Sequence, residues 1–129
     1  MIASARAADS RELHLRHVHT GETIHIIYKR NGRYDRDALK KLDWFLRDWR
    51  KDEAHPTDPR LFDLIWRIAK DVGARQRIDV FTGYRSPSTN AMLRQRSRAI
   101  LENSQHVQGH AIDFAIPGVE LSKLRDAAL

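Results

Sequence analysis

Alternating apolar and polar positions near the start of the chain predict a β-hairpin. Leu13–Val18 and Thr23–Lys29 carry apolar residues at nearly every second position, the period of a strand with one buried face. The four residues between these runs include Gly21, which tolerates the positive φ that tight hairpin turns often require. We therefore expect two antiparallel strands joined by a turn.

Two later segments have the apolar spacing of amphipathic helices. The first begins at Asp35 and runs to about Arg50, with apolar residues recurring every three or four positions. The second follows Asp58, a residue type that caps helix N-termini, and runs to about Val72, where Gly73 favours termination. Their apolar faces are predicted to pack on each other and on a sheet. The three tryptophans are expected to pack against other side chains rather than to bind a cofactor. They are Trp44, Trp49 and Trp66.

The second half of the chain alternates strands and helices. Ile78–Thr82 is predicted to be a strand, followed by Ser86 as the N-cap of a helix that begins at Pro87 and reaches about Leu101. Ala111–Ile116 is predicted to be another strand, and Glu120–Leu129 the start of a further helix. This order indicates an α+β fold with a small antiparallel sheet and flanking helices.

The length of 129 residues suggests one domain with a single core. We place that domain at residues 13–129 and expect residues 1–12 to be a disordered N-terminal remnant. The opening residues are rich in small side chains, which fits either the tail of a signal peptide or a frayed terminus.

Composition narrows the classes of function. Lys and Arg number 23 against 17 Asp and Glu, and the net charge of +6 favours anionic partners, although charge spread along a chain more often serves solvation. The absence of cysteine excludes disulfides and cysteine-type zinc sites, so any zinc must be held by histidine and carboxylate. No apolar run approaches ~18 residues, so no membrane span is predicted.

The segment from Ser104 to Asp113 carries the strongest chemical signal. His106 and Asp113 stand seven residues apart, and Gly109 between them can supply the bend that brings both to one metal ion. In the predicted strand, Asp113 lies between two alanines on one face, while the bulky apolar residues occupy the other. Imidazole and carboxylate are both zinc ligands, but a hydrogen-bonded histidine and a turn aspartate explain the same spacing.

The wider pattern resembles a known family of enzymes. The motif Ser104-x-His106-x-x-Gly109-x-Ala111-x-Asp113, preceded by Gly83-Tyr84-Arg85-Ser86, resembles the zinc D-Ala-D-Ala metallopeptidases related to the hedgehog fold. The likeness is closer to the murein endopeptidase K branch, bacterial proteins that cut peptidoglycan peptides. It extends in order through further segments: His19–Glu22, Asp58–Asp63, Thr89-Asn90, Leu93-Arg94, Arg96–Arg98 and Leu124–Leu129.

The resemblance implies roles for five residues and a Zn²⁺ cofactor. It makes His106 and Asp113 the first two zinc ligands, and Arg85 a catalytic residue that holds a substrate carboxylate or the developing oxyanion. A guanidinium suits that task because it is planar and stays charged, although packing or pairing with an acid also explains an arginine there. Ser104 is expected to orient the loop that carries His106, called here the ligand loop, by hydrogen bonding. Tyr84 is expected either to line the cleft or to pack within the protein.

The chain departs from the family pattern in its third ligand. The family has a later strand with a histidine beside an acid, and the catalytic acid/base lies in that segment. We find no such segment before Leu129 and expect a C-terminally truncated form. The remaining histidines give no alternative: His110 should face away from Asp113, His17 and His19 fit hairpin packing, and no site is recognised at His14, His25 or His55.

Three functions follow from these observations. The first is a zinc-dependent peptidoglycan peptidase of the periplasm or cell envelope, acting on peptide cross-links. The second is a non-catalytic or inactive cell-wall-binding module. Nucleic-acid binding is weakly suggested by Arg94, Arg96 and Arg98, but these positions do not share one helix face and no recognition motif accompanies them. An unpaired sheet edge near Asp113 also predicts weak self-association.

Overall fold

The computed structural model describes residues 10–73, 77–97 and 104–119. It has the α+β composition that the sequence predicted. The elements are β1 Arg11–His17, β2 Thr23–Arg30, β3 Arg33–Tyr34, α1 Arg36–Phe45, α2 Pro59–Asp71, β4 Ile78–Thr82, α3 Pro87–Arg96 and β5 Asp113–Ala115.

The five strands form one sheet in the order β3-β2-β1-β4-β5. The prediction of an antiparallel sheet is wrong in one respect, because β1 and β4 pair in parallel, with His17 beside Val80. Two helices lie between these strands along the chain, and such a long connection allows a parallel return that a tight turn cannot. The sheet is therefore mixed.

The predicted hairpin is confirmed, with Leu15 paired to Ile24 in an antiparallel ladder. Gly21 adopts a φ of 75° in its turn. The first strand begins at Arg11, so residues 11 and 12 lie in the sheet rather than in the predicted N-terminal remnant. The short strand β3 was not predicted, because its two residues are both exposed and leave no apolar alternation.

Helix α1 is shorter than the periodicity predicted. Asp35 is its N-cap, with the carboxylate accepting a hydrogen bond from the Ala38 N–H, but the helix ends at Phe45 instead of near Arg50. The carbonyl of Leu46 accepts from the N–H of Tyr84, and the side chain of Asp48 accepts from backbone N–H groups. These tertiary hydrogen bonds replace the next helical turn.

The predicted caps of the other two helices are confirmed. Asp58 caps α2 by accepting from the N–H of Arg60, and Ser86 caps α3 by accepting from the N–H of Thr89. In the described residues α3 ends at Arg96, and the rest of the predicted helix to about Leu101 lies largely outside them. The predicted helix from Glu120 also lies outside the described residues.

Strand β5 is shorter than predicted and lies at one edge of the described sheet. Its pairing with β4 shifts register between Val80 and Thr82, and Thr82 faces Asp113. The predicted division of faces holds, since Ile116 is buried in the core and Phe114 packs against it. Self-association through this edge stays a prediction.

The core lies between the sheet and the helices α1 and α2. Strands β1, β2 and β4 and both of these helices contribute apolar side chains that are almost fully buried, as does Ile116 just after β5. The members with the least exposure are Leu13, Leu15, Tyr28, Leu42, Leu46, Phe62, Ile65, Ile68, Ile78, Val80 and Ile116. In the part of the chain that the structure describes, none of the helices has the length and apolar character needed to span a bilayer.

His17 is a fully buried histidine within this core. Its ring meets those of Phe45 and Trp49 edge-on, at centroid distances of 5.9 and 5.3 Å, while His19 stacks on Trp49. Packing is therefore the role of the His17–His19 pair, as predicted. Burial, with a contribution from His19, lowers the pKa of His17 to about 4.

We expect this histidine to make stability depend on pH. His17 stays neutral in the folded protein down to about pH 4, whereas in the unfolded chain it takes up a proton below about 6.5. Its contribution is thus complete above pH 6.5 and falls by about 3 kcal/mol as the pH drops to 4. Denaturant titrations at several pH values measure the effect.

His17→Asn provides the control, because asparagine does not titrate and its Oδ1 can replace the Nδ1 that accepts from the His19 N–H. The free-energy difference between wild type and variant should change between pH 6.5 and 4. Equal slopes for wild type and His17→Asn would contradict the prediction.

Candidate metal centre

The structure brings His106 and Asp113 together at one end of the sheet. His106 lies in the turn that spans residues 105–109, and Asp113 is the first residue of β5. The Nε2 atom of His106 is 3.3 Å from Oδ2 of Asp113. The side chain of His106 is 13% exposed and that of Asp113 is 59% exposed, so the pair opens to solvent on the carboxylate side.

The backbone of Gly83 fixes the orientation of the His106 ring. Its carbonyl oxygen lies 3.0 Å from Nδ1 of His106, and because a carbonyl only accepts, Nδ1 must carry the proton. Nε2 then faces the carboxylate of Asp113, where it either shares a proton with that carboxylate or offers its lone pair to a metal ion. Two acceptors cannot face each other at 3.3 Å unless a proton or a metal ion lies between them.

The pair fits a zinc ion. Ligand bonds of about 2.1 Å at a tetrahedral angle place two donor atoms about 3.4 Å apart. The observed separation of 3.3 Å matches that spacing. Histidines that bind metals commonly donate their second ring N–H to a carbonyl or carboxylate, as His106 does to Gly83.

Three further hydrogen bonds hold the loop around His106. Ser104 Oγ accepts from the His106 N–H at 3.2 Å, and its role in orienting the loop stays a prediction. The His106 carbonyl accepts from the N–H groups of Arg85 and Gly109. The ligand loop is thereby bound to the segment Gly83–Arg85, which leaves β4.

Gly109 permits the close approach of this loop to the segment before α2. Its φ is +70°, and an added Cβ would lie 2.3 Å from the carbonyl oxygen of Pro56. Its own carbonyl accepts from the N–H of Asp58 at 2.9 Å. The predicted bend is confirmed, and the position excludes every side chain.

Gly83 is a second position of close approach. An added Cβ would lie 2.7 Å from Cβ of Leu46 and 2.8 Å from its carbonyl oxygen. The absence of a side chain lets the end of β4 pack directly on the end of α1. That contact determines where the Gly83 carbonyl meets His106.

Arg85 lies beside the metal pair. Its Nη1 donates to Oδ1 of the buried Asn90 at 3.1 Å, while its buried Nε has no hydrogen-bond partner within the described residues. Burial and the charge of Arg50 lower the pKa of Arg85, and the charges of Asp113 and Asp48 act in the opposite direction. An arginine nevertheless stays protonated, so the site presents a partly desolvated cation with an unused donor.

The carboxylate of Asp113 is stabilised in its charged form. Its hydrogen bond with His106 holds the pKa of Asp113 below its ordinary value, against partial burial, and the charge of Arg85 acts in the same direction as the hydrogen bond. An ionised carboxylate is the form that binds a metal.

Tyr84 is 7% exposed and stacks on His55, with ring centroids 4.9 Å apart. Tyr84 therefore packs within the protein, and the prediction that it also lines the cleft stays a prediction. His55 donates from Nδ1 to the carbonyl of Pro56 and lies against the turn that contains Gly109. The sequence around His55 did not predict this position. His110 is exposed, as is His14.

Sequence reasoning missed two residues near the centre, Asp48 and Arg50. Asp48 is fully buried, and its Oδ2 accepts from the N–H of Ser86, the residue that follows Arg85. The pattern assigned both residues to the end of a helix, where they would have been ordinary surface charges. Within residues 10–73, 77–97 and 104–119, no three histidine or acidic side chains are close enough to form a metal site.

Comparison with known proteins identifies the family. A family model described as peptidoglycan L,D-endopeptidase MepK matches residues 5–129. The chain belongs to this family. The predicted resemblance to the murein endopeptidase K branch is confirmed, and with it the class of peptidoglycan peptidases.

Individual members of the MepK family match over most of the chain. The probable peptidoglycan L,D-endopeptidase MepK of Haemophilus influenzae is 40% identical over 129 residues, which are 99% of this chain and 69% of the relative. The peptidoglycan L,D-endopeptidase MepK of Escherichia coli K12 is 41% identical over 119 residues, which are 92% of this chain and 65% of the relative. A comparison with solved structures found no significant match.

Proposed function

We propose that this chain is a zinc-dependent peptidase that hydrolyses amide bonds in peptidoglycan cross-links. His106 and Asp113 provide two of the zinc ligands, and the third lies outside the described residues. The observation that carries the proposal is the 3.3 Å approach of His106 Nε2 to Asp113 Oδ2, with His106 Nδ1 held by the Gly83 carbonyl. Membership of the MepK family supports peptidoglycan as the substrate.

Arg85 binds the substrate in this proposal. Its Nε has no partner among the residues that the structure describes, and with its partial burial this suits a carboxylate or the oxyanion that develops during amide hydrolysis, because charge-assisted hydrogen bonds are stronger in a desolvated site. Asn90 fixes the guanidinium by accepting from Nη1. When bound, zinc would polarise the scissile carbonyl and acidify a coordinated water.

The proposed substrate places the protein in the bacterial periplasm or cell envelope. A cell-wall-binding module without catalysis is the second candidate, favoured by the lack of a three-ligand cluster within the described residues. Incubation with purified peptidoglycan and zinc separates the two. Zinc-dependent release of soluble peptides supports the peptidase, whereas binding to the polymer without release supports the module.

We expect His106→Ala to weaken zinc binding at least about tenfold, or 1.4 kcal/mol, because it removes one protein ligand. Asp113→Ala should have a similar effect. Competition with a chromophoric chelator measures the affinity. His110→Ala is the matched control, since it removes an exposed histidine four residues away, and it should leave the affinity unchanged. Equal affinities for wild type and His106→Ala would overturn the metal centre.

A further inference from the structure

We infer that Arg50 forms, together with Arg85, a binding subsite for a second carboxylate of the substrate. The inference rests on the proposed function and concerns which groups of a peptidoglycan peptide the site recognises. Nothing in the sequence singled out Arg50, and the charge it brings to the site is visible in the fold alone.

The carboxylate of Asp48 connects the turn that bears Arg50 with the segment after β4. The N–H of Arg50 donates to Oδ1 of Asp48, and the N–H of Ser86 donates to Oδ2 of the same carboxylate. Asp48 thus joins the turn that carries Arg50 to the residue directly after Arg85. The Arg50 guanidinium also lies beside that carboxylate, with Nη1 4.0 Å from Oδ1 of Asp48.

The ring of Trp49 orients the Arg50 guanidinium. The guanidinium carbon of Arg50 lies 3.9 Å from the centroid of the Trp49 ring. Stacking on an indole restricts a long side chain and leaves the edge of the guanidinium, with its N–H groups, available to a ligand. The Arg50 side chain is 31% exposed, so that edge is accessible to solvent.

The charge of Arg50 is less closely compensated than that of nearby Arg47. Among the described residues, the carboxylate oxygen nearest to Arg50 is Oδ1 of Asp48, which forms a long ion pair of 4.0 Å with Nη1 and also accepts a backbone hydrogen bond. Arg47 offers an internal contrast, because it also lies over a tryptophan, Trp44, at 4.4 Å. Its charge is compensated by Glu22 at 2.9 Å and Asp52 at 3.0 Å.

These observations point to an anionic ligand. Arg50 and Arg85 both carry a positive charge, and an anion that contacts both is attracted by each of them. The stem peptides of peptidoglycan carry free carboxylates beside their amide bonds, and a planar guanidinium binds a carboxylate through two parallel hydrogen bonds. The subsite would therefore select substrates whose carboxylate is free over substrates in which it is amidated.

The test uses the whole chain with zinc and a set of peptidoglycan tetrapeptides, one with every carboxylate free and others with one carboxylate amidated in turn. Calorimetry gives the affinities for wild type and for Arg50→Gln. For one carboxylate, we expect amidation to weaken wild-type binding roughly fivefold, the effect of a partly exposed charge pair, and to leave Arg50→Gln binding unchanged. Arg50→Lys should retain part of the discrimination.

Arg47→Gln is the matched control and should discriminate as wild type does. Ligand binding should also shift the indole N–H resonance of Trp49, which Trp49→Phe assigns. The inference is overturned if amidation of each carboxylate affects Arg50→Gln and wild type equally, or if none of the peptides binds. Zinc affinity of the same proteins is measured separately, so a failure of the metal centre is distinguished from a failure of the subsite.

Discussion

Replacing Gly109 with alanine is expected to destabilise the protein by about 4 kcal/mol and to disrupt the metal centre. The residue has a φ of +70°, which costs an L-residue about 1–2 kcal/mol. The new Cβ would also lie 2.3 Å from the Pro56 carbonyl oxygen, a backbone atom that cannot rotate away. Buried steric conflicts of this kind produce the largest effects of single substitutions.

The same substitution should weaken zinc binding. Relief of the clash requires the 105–109 turn to move away from Pro56, and that movement breaks the hydrogen bond from the Asp58 N–H to the Gly109 carbonyl. His106 belongs to the same turn, so its Nε2 would leave its position beside Asp113. Denaturant unfolding and chelator competition measure the two effects.

Gly118→Ala separates backbone strain from steric conflict. Gly118 has a φ of +81°, and nothing lies within 4 Å of an added Cβ. We expect this control to cost about 1–2 kcal/mol, with zinc affinity preserved. A similar small loss for Gly109→Ala would show that the Pro56 contact does not hold the ligand loop.

The elements that the sequence predicted well are those determined by nearby residues. The hairpin, the caps Asp58 and Ser86, the strand Ile78–Thr82 and the bend at Gly109 each depend on residues a few positions apart. The pairing of His106 with Asp113 followed from the same kind of local reasoning, because seven residues with one glycine can fold back on themselves.

The elements that the sequence did not predict depend on residues far apart in the chain. The parallel pairing of β1 with β4 joins His17 to Val80, and no local period encodes it. Helix α1 continues in the apolar pattern to Trp49, yet Leu46 and Asp48 make hydrogen bonds to Tyr84 and Ser86 instead. Contacts between distant parts of the chain therefore determine both the parallel strand pairing and the early end of α1. The same contacts place Arg50 near the site.

Asp48 is the residue in which these long-range contacts meet, and Asp48→Ala is expected to destabilise the protein by about 4 kcal/mol. Its side chain is fully buried and accepts from the N–H groups of Arg50 and Ser86. Removal of the carboxylate leaves both donors without that acceptor, at about 1–3 kcal/mol each. Thermal or denaturant unfolding measures the loss.

The consequences should extend to the site, because Ser86 caps α3 and follows Arg85 directly. Asp48→Asn should cost less than alanine, since an amide oxygen can still accept from one of the two donors. Asp37→Ala, which removes an exposed acid in the first turn of α1, should cost less than about 1 kcal/mol. Burial tends to raise the pKa of Asp48, but the hydrogen bonds around the carboxylate hold it below its ordinary value, so Asp48 acts as a charged acceptor. If Asp48→Ala is no less stable than Asp37→Ala, the turn bearing Arg50 and the helix after Arg85 are positioned by other contacts.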